Sequence, residues 1–106
     1  MTAYLVLKSA KFRIKNIYKT SLNNWGNRQA TVYIEGLFNH FEGIVSGEVL
    51  LTPIPAEFEV EGYLSRYKKH FVYSKTLKSG KIGIVSVLHQ RMHQIERFEE
   101  DFKLNR

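Results

Sequence analysis

Apolar positions in this chain follow two regimes. Through the first half, small or apolar residues recur every three or four positions. The first set is Ala10, Ile14, Ile17, Tyr18, Ser21 and Trp25, and the second is Ala30, Tyr33, Ile34, Leu37, Phe38, Phe41 and Val45. That spacing puts each set on one face of a helix, and most of both stripes should be core. The first helix is expected to follow a short buried strand, Tyr4 to Leu7, with Ser9 as its cap and Gly26 as its stop. Asn27 is the expected cap of the second, and Gly43 and Gly47 bracket its end. So short a link makes the two helices an antiparallel hairpin.

Through the second half the apolar residues crowd into short runs. Val49 to Glu61 carries both prolines, Pro53 and Pro55, and reads as an ordered loop with a short edge strand before Pro53. Gly62 to Tyr67 and His70 to Thr76 read as strands, and Lys78-Ser79-Gly80 as a turn. Lys81 to His89 is nearly continuous in apolar and β-branched residues, which predicts a central strand buried on both faces. Gln94 to Leu104 predicts a short charged helix with Ile95, Phe98 and Phe102 on its apolar side. The predicted architecture is α+β: a helical hairpin packed on a small, mostly antiparallel sheet, in the order β-α-α-β-β-β with a C-terminal helix. Residues 1–106 make one domain.

Charge changes the picture more than composition does. From Met1 to Ile34 every charged residue is basic: Lys8, Lys11, Arg13, Lys15, Lys19 and Arg28. From Glu35 to Glu61 every one is acidic, and from Gly62 to Arg91 every one is basic again. Blocks of one sign predict a basic face, suited to nucleic acid or to an acidic protein segment, although a merely solvated surface would read the same way. The chain has no cysteine, so disulfides and thiolate metal sites are excluded. Met1 to Leu7 is too short for a secretory leader, and no run reaches transmembrane length, so a soluble cytoplasmic protein is the expectation.

Candidate chemistry is sparse. Lys68 and Lys69 fall at a tight turn beside Arg66 and Tyr67, where a basic tip can grip phosphate or simply block edge pairing. Arg13, Lys15 and Lys19 are expected on the outward side of the first helix, free to meet an anionic partner. Trp25 is expected to close the end of the helix pair as core; the other reading is an exposed anchor for a partner. His89 and His93 lie four apart, but no third ligand accompanies them, so no metal or other cofactor is expected.

Several of these stretches resemble one family. Trp25-Gly26-x-x-Gln29-Ala30-x-x-Tyr33 resembles the hairpin turn of ParE-like toxins, and Ser9-Ala10 followed by Ile14 and Ile17 fits their first helix. His70-Phe71-Val72-Tyr73 looks like their third strand. Ile82 to Val87, leading into Leu88-His89-Gln90-Arg91-Met92, is similar to their last strand and exit motif. These motifs cover nearly the whole chain in order. Arg13 stands where the family usually has an acid, His93 where it usually has Asp, and Val49 to Val60 departs from the usual linker.

The resemblance implies the toxin of a type II toxin–antitoxin pair, of the kind tied to plasmid stabilisation, that poisons DNA gyrase and is neutralised by a cognate antitoxin. The target- or antitoxin-binding residues would be Arg13, Lys15, Lys19, Arg66, Lys68, Lys69, His89 and Arg91. The RelE branch of the superfamily implies an alternative, ribosome-dependent mRNA cleavage, with Arg66, His89, Arg91 and His93 as its groups and Lys68 and His70 nearby. A third possibility is a diverged binding module without toxicity.

Overall fold

The structure, a computed structural model, describes the backbone of residues 4–104 and side chains as far as Asp101. Met1 to Ala3 lie outside it, as does the side chain of Phe102, assigned above to the apolar side of the last helix. Strand β1 (Tyr4–Val6) leads into helix α1 (Lys8–Trp25) and helix α2 (Asn27–Ser46). Strand β2 (Thr52–Pro53) and a 3₁₀ turn (Ala56–Phe58) precede β3 (Tyr63–Tyr67), β4 (His70–Thr76), β5 (Ile82–His89) and helix α3 (Gln94–Leu104). The five strands form one sheet in the order β1-β5-β4-β3-β2, antiparallel except where β1 runs parallel to β5.

The α+β architecture follows from two apolar faces on that sheet. On one face the helical hairpin lays Ala10, Ile14, Leu37, Phe41 and Ile44 against Val72, Ile84 and Val87. On the other, Phe98 of α3 packs with Ile54, Tyr73, Val85 and Leu88, its ring 4.7 Å from that of Tyr73. Strand β5 is buried from Gly83 through Leu88, as its unbroken apolar run predicts. A bulge interrupts its alternation: Ser74 pairs with Ile84 and Tyr73 with Ser86, leaving Val85 as the extra residue. Val85 and Ser86, consecutive in sequence, therefore both turn towards α3, where Val85 meets Phe98 and Ser86 meets Asp101.

Beyond Ile84, β1 no longer covers the edge of β5. There α1 and α3 close over the strand. The Ser9 hydroxyl donates to the carbonyl of Val85 at 2.5 Å. Arg13 of α1 grips Asp101 of α3 with two hydrogen bonds, 2.9 and 3.1 Å long, and the Ser86 hydroxyl donates to the same carboxylate. Gln94 fixes the start of α3 by donating to the carbonyls of His89 and Met92 while accepting from the Tyr73 hydroxyl.

Several local expectations are corrected by these contacts. Ser9 does not cap α1: the cap position is Leu7 and the Ser9 hydroxyl is spent on Val85. Asn27 does not cap α2 either, because Gly26 holds that place and the Asn27 amide oxygen accepts from Tyr18 at 3.2 Å. Gly26 does stop α1, with φ +87° and its N–H on the Leu22 carbonyl. Gly43 lies inside α2 rather than at its end, which Gly47 marks. The first strand is an edge strand with Leu5 exposed, and the short strand near Pro53 includes that proline.

Candidate functional site

The hairpin and the tip of the β3–β4 turn face each other across a groove of about 440 Å³. One wall is the second half of α1, from Arg13 to Trp25. The other is Lys68, Lys69 and His70, with Tyr33, Val87, His89 and Met92 between them. No Asp or Glu lines it among the described residues, and most of its wall is apolar. A second concavity, about 540 Å³, lies by Pro53, Tyr63 and Lys75 and holds none of the candidate residues.

His70 and His89 meet in this groove because they are directly opposed on β4 and β5. Their rings stand edge to face, 5.1 Å apart. Turn geometry alone does not predict this pairing. Thr76 pairs with Ile82, and an unbroken ladder from there would set His70 against Leu88; the extra residue at Val85 shifts the register by one.

Hydrogen bonds hold both imidazoles in place. The Tyr33 hydroxyl lies 2.6 Å from His70 Nδ1. The N–H of Arg91 donates to His89 Nδ1 at 3.1 Å, so the neutral His89 carries hydrogen on Nε2. Burial, reinforced by the neighbouring His89, pushes His70 down to about 4. Burial also lowers His89, with the charges of Arg91 and Lys69 adding to the effect. Both rings are thus neutral near neutral pH.

Tyr33 and Tyr67 complete the support. The Tyr67 hydroxyl donates to the Tyr33 carbonyl at 2.9 Å, and the Lys68 ammonium lies over both rings, 5.4 and 5.6 Å from their centroids. Tyr67 reaches α2 because residue 36 is glycine: a Cβ there would collide with the Tyr67 hydroxyl. Burial raises the Tyr33 phenol, further raised by Tyr67 and partly offset by the Lys69 N–H. Lys68 itself sits at φ +51°, a turn position that side chains rarely adopt.

The sequence-predicted residues divide sharply on this map. Lys68, Lys69, His70 and His89 are brought together. Arg13 also lines the groove, but the expectation that it is free is corrected: its side chain is 12% exposed and paired with Asp101, with Glu100 3.6 Å away. Lys15 and Lys19 are exposed on α1 outside the groove. Arg66 is tied to its own turn, donating to the Lys68 carbonyl and to Gln90. Arg91 and His93 are exposed outside the groove, His93 lying 3.6 Å from Glu96. His93 precedes α3, so His89 and His93 do not share a helix. Trp25 is not core: it is 65% exposed on the groove wall. Tyr33 is missing from the predicted site because its helical spacing reads as core.

No family model matches the chain. Over 103 residues it is 24% identical to the Toxin ParE of Escherichia coli, a span covering 97% of this chain and 99% of that protein. The chain is thus similar to a ParE toxin from end to end. No helix among the described residues is long and apolar enough to cross a membrane.

Proposed function

We propose that this protein is a ParE-like toxin of a type II toxin–antitoxin pair, which binds and poisons DNA gyrase and is neutralised by a cognate antitoxin. The end-to-end similarity to Toxin ParE carries this reading. A poison that acts by binding needs an exposed surface rather than a reacting constellation. Here Lys15 and Lys19 project from α1, and Lys68, Lys69 and Arg91 stand at or beside the groove mouth. That basic surface suits an acidic antitoxin segment, which would cover it by charge complementarity. Its place of action would be the cytoplasm, where gyrase works.

The site chemistry favours binding over RNA cleavage. A general base needs an available lone pair within reach of the proton it abstracts. On His89 the lone pair is on Nδ1 and accepts the N–H of Arg91, and His70 Nδ1 is engaged with the Tyr33 hydroxyl. Of the residues assigned to the cleaving alternative, Arg66, Arg91 and His93 lie outside the groove. The test is a gyrase supercoiling and cleavage assay run beside ribosome-programmed mRNA cleavage. Lost supercoiling or accumulated cleaved plasmid with intact mRNA supports the reading; cut mRNA with normal supercoiling rejects it.

A further inference from the structure

The groove also has the form of a small-molecule site. Pockets that enclose such ligands measure roughly 300–1,000 Å³ and are mostly apolar, with a few polar groups that fix orientation. This one fits both criteria at about 440 Å³. Its charged groups have one sign. Lys68 and Lys69 stand beside it, His89 presents hydrogen on Nε2, and the His70 ring lies against it. Neither Nε2 has a protein partner among the described residues, and neither is sealed from solvent. The His89 N–H on β5 and the two ammonium groups of the β3–β4 turn match the three oxygens of a phosphate better than the two of a carboxylate. Beside them Trp25 leaves a broad indole surface open, and such a surface stacks on any nucleobase.

We propose that the groove binds a nucleoside monophosphate, with its phosphate on His70, His89, Lys68 and Lys69 and its base against Trp25. The site does not depend on the toxin reading. The same chemistry is presented by a free mononucleotide or by the phosphorylated end of a single strand.

Trp25 is the only tryptophan, so its fluorescence reports occupancy in the intact protein. Adenosine monophosphate should quench it saturably. Adenosine and inorganic phosphate should each bind about tenfold or more weakly, since each lacks half of the contacts. The exposed Lys69→Ala variant should lose about tenfold in affinity, and His89→Ala a similar factor, with the far-ultraviolet circular dichroism unchanged. Calorimetry on Trp25→Ala should show weakened binding without relying on the fluorophore. A free ligand is indicated if the mononucleotide binds tighter than a 5′-phosphorylated oligoadenylate. A strand end is indicated if that oligomer binds tighter than both the mononucleotide and its own 5′-hydroxyl form. Absence of quenching at millimolar mononucleotide overturns the proposal. So does equal binding of adenosine or phosphate, or a Lys69→Ala variant that binds as the parent does. Gyrase inhibition with no nucleotide binding would overturn this proposal and leave the toxin reading intact.

Discussion

Two polar clusters share strand β5, yet they behave as opposites. In one, Arg13, Ser86 and Asp101 converge under α3, with the Asp101 side chain 1% exposed. In the other, Tyr33, His70 and His89 line a groove open to solvent. The first uses full charges and hydrogen-bonds them to one another; it closes the fold. The second keeps its rings neutral and leaves their outward nitrogens unengaged; it stays available. Whether a polar group serves as a lock or as a site is set here by burial and by the partners that burial supplies, not by residue type.

The sharpest way to break the contrast is to halve the lock. Arg13→Ala would remove the positive charge that faces the buried Asp101 carboxylate, and a loss of roughly 3 kcal/mol is expected in urea unfolding. Replacing both partners by apolar residues, Arg13→Met with Asp101→Leu, should recover much of that loss, because no charge is then left buried. If the single variant costs less than the double, the lock is not what holds α3.

The next effect belongs to the groove and depends on pH. His70 has a folded-state value near 4, below its ordinary 6.5. The unfolded chain therefore binds more protons between those values, so stability is full above about 6.5 and falls as pH drops towards 4. The loss should be on the order of 1–2 kcal/mol after allowing for solvent screening of a partly open site. His70→Gln should flatten that slope in pH-dependent unfolding; an unchanged slope would assign it elsewhere.

Gly36→Ala tests how the groove is supported. Helix propensity alone favours alanine by about 1 kcal/mol. Here the new methyl would drive the Tyr67 ring away from α2 and break its bond to the Tyr33 carbonyl, so a net loss of about 1–2 kcal/mol is expected. A stabilised Gly36→Ala protein would show that Tyr67 moves aside freely. The smallest effect is expected at Lys15 and Lys19: alanine at either should change stability by no more than about 0.5 kcal/mol. Any defect in gyrase inhibition by those variants would then report contact rather than folding.

The elements of the fold were legible because periodicity records which face is buried. The two helical stripes, the unbroken β5 run and the bounds of α3 each carry that signal locally. The site was harder to read because its geometry depends on non-local events. One bulge residue, Val85, decides that His70 faces His89 rather than Leu88. Ser9 reads as a cap by position but finds its partner 76 residues away. Arg13 reads as a free cation until α3 brings Asp101 to it. A hint was present in that helix: Asp101 lies three residues beyond Phe98, on the same helical face, where a charge needs a partner. Trp25 misled for a simpler reason. Its spacing continues the α1 stripe, but at that end of the helix the side chain stands exposed on the groove wall.

The most direct test of the central claim is the action of the purified protein on gyrase, with ribosome-programmed mRNA followed in parallel. The account predicts lost supercoiling or trapped, cleaved plasmid while the mRNA stays whole. It also predicts that His89→Ala combined with His93→Ala, in a folded protein, retains at least part of that inhibition. Cleaved mRNA with normal supercoiling, abolished by the same two substitutions, would contradict it.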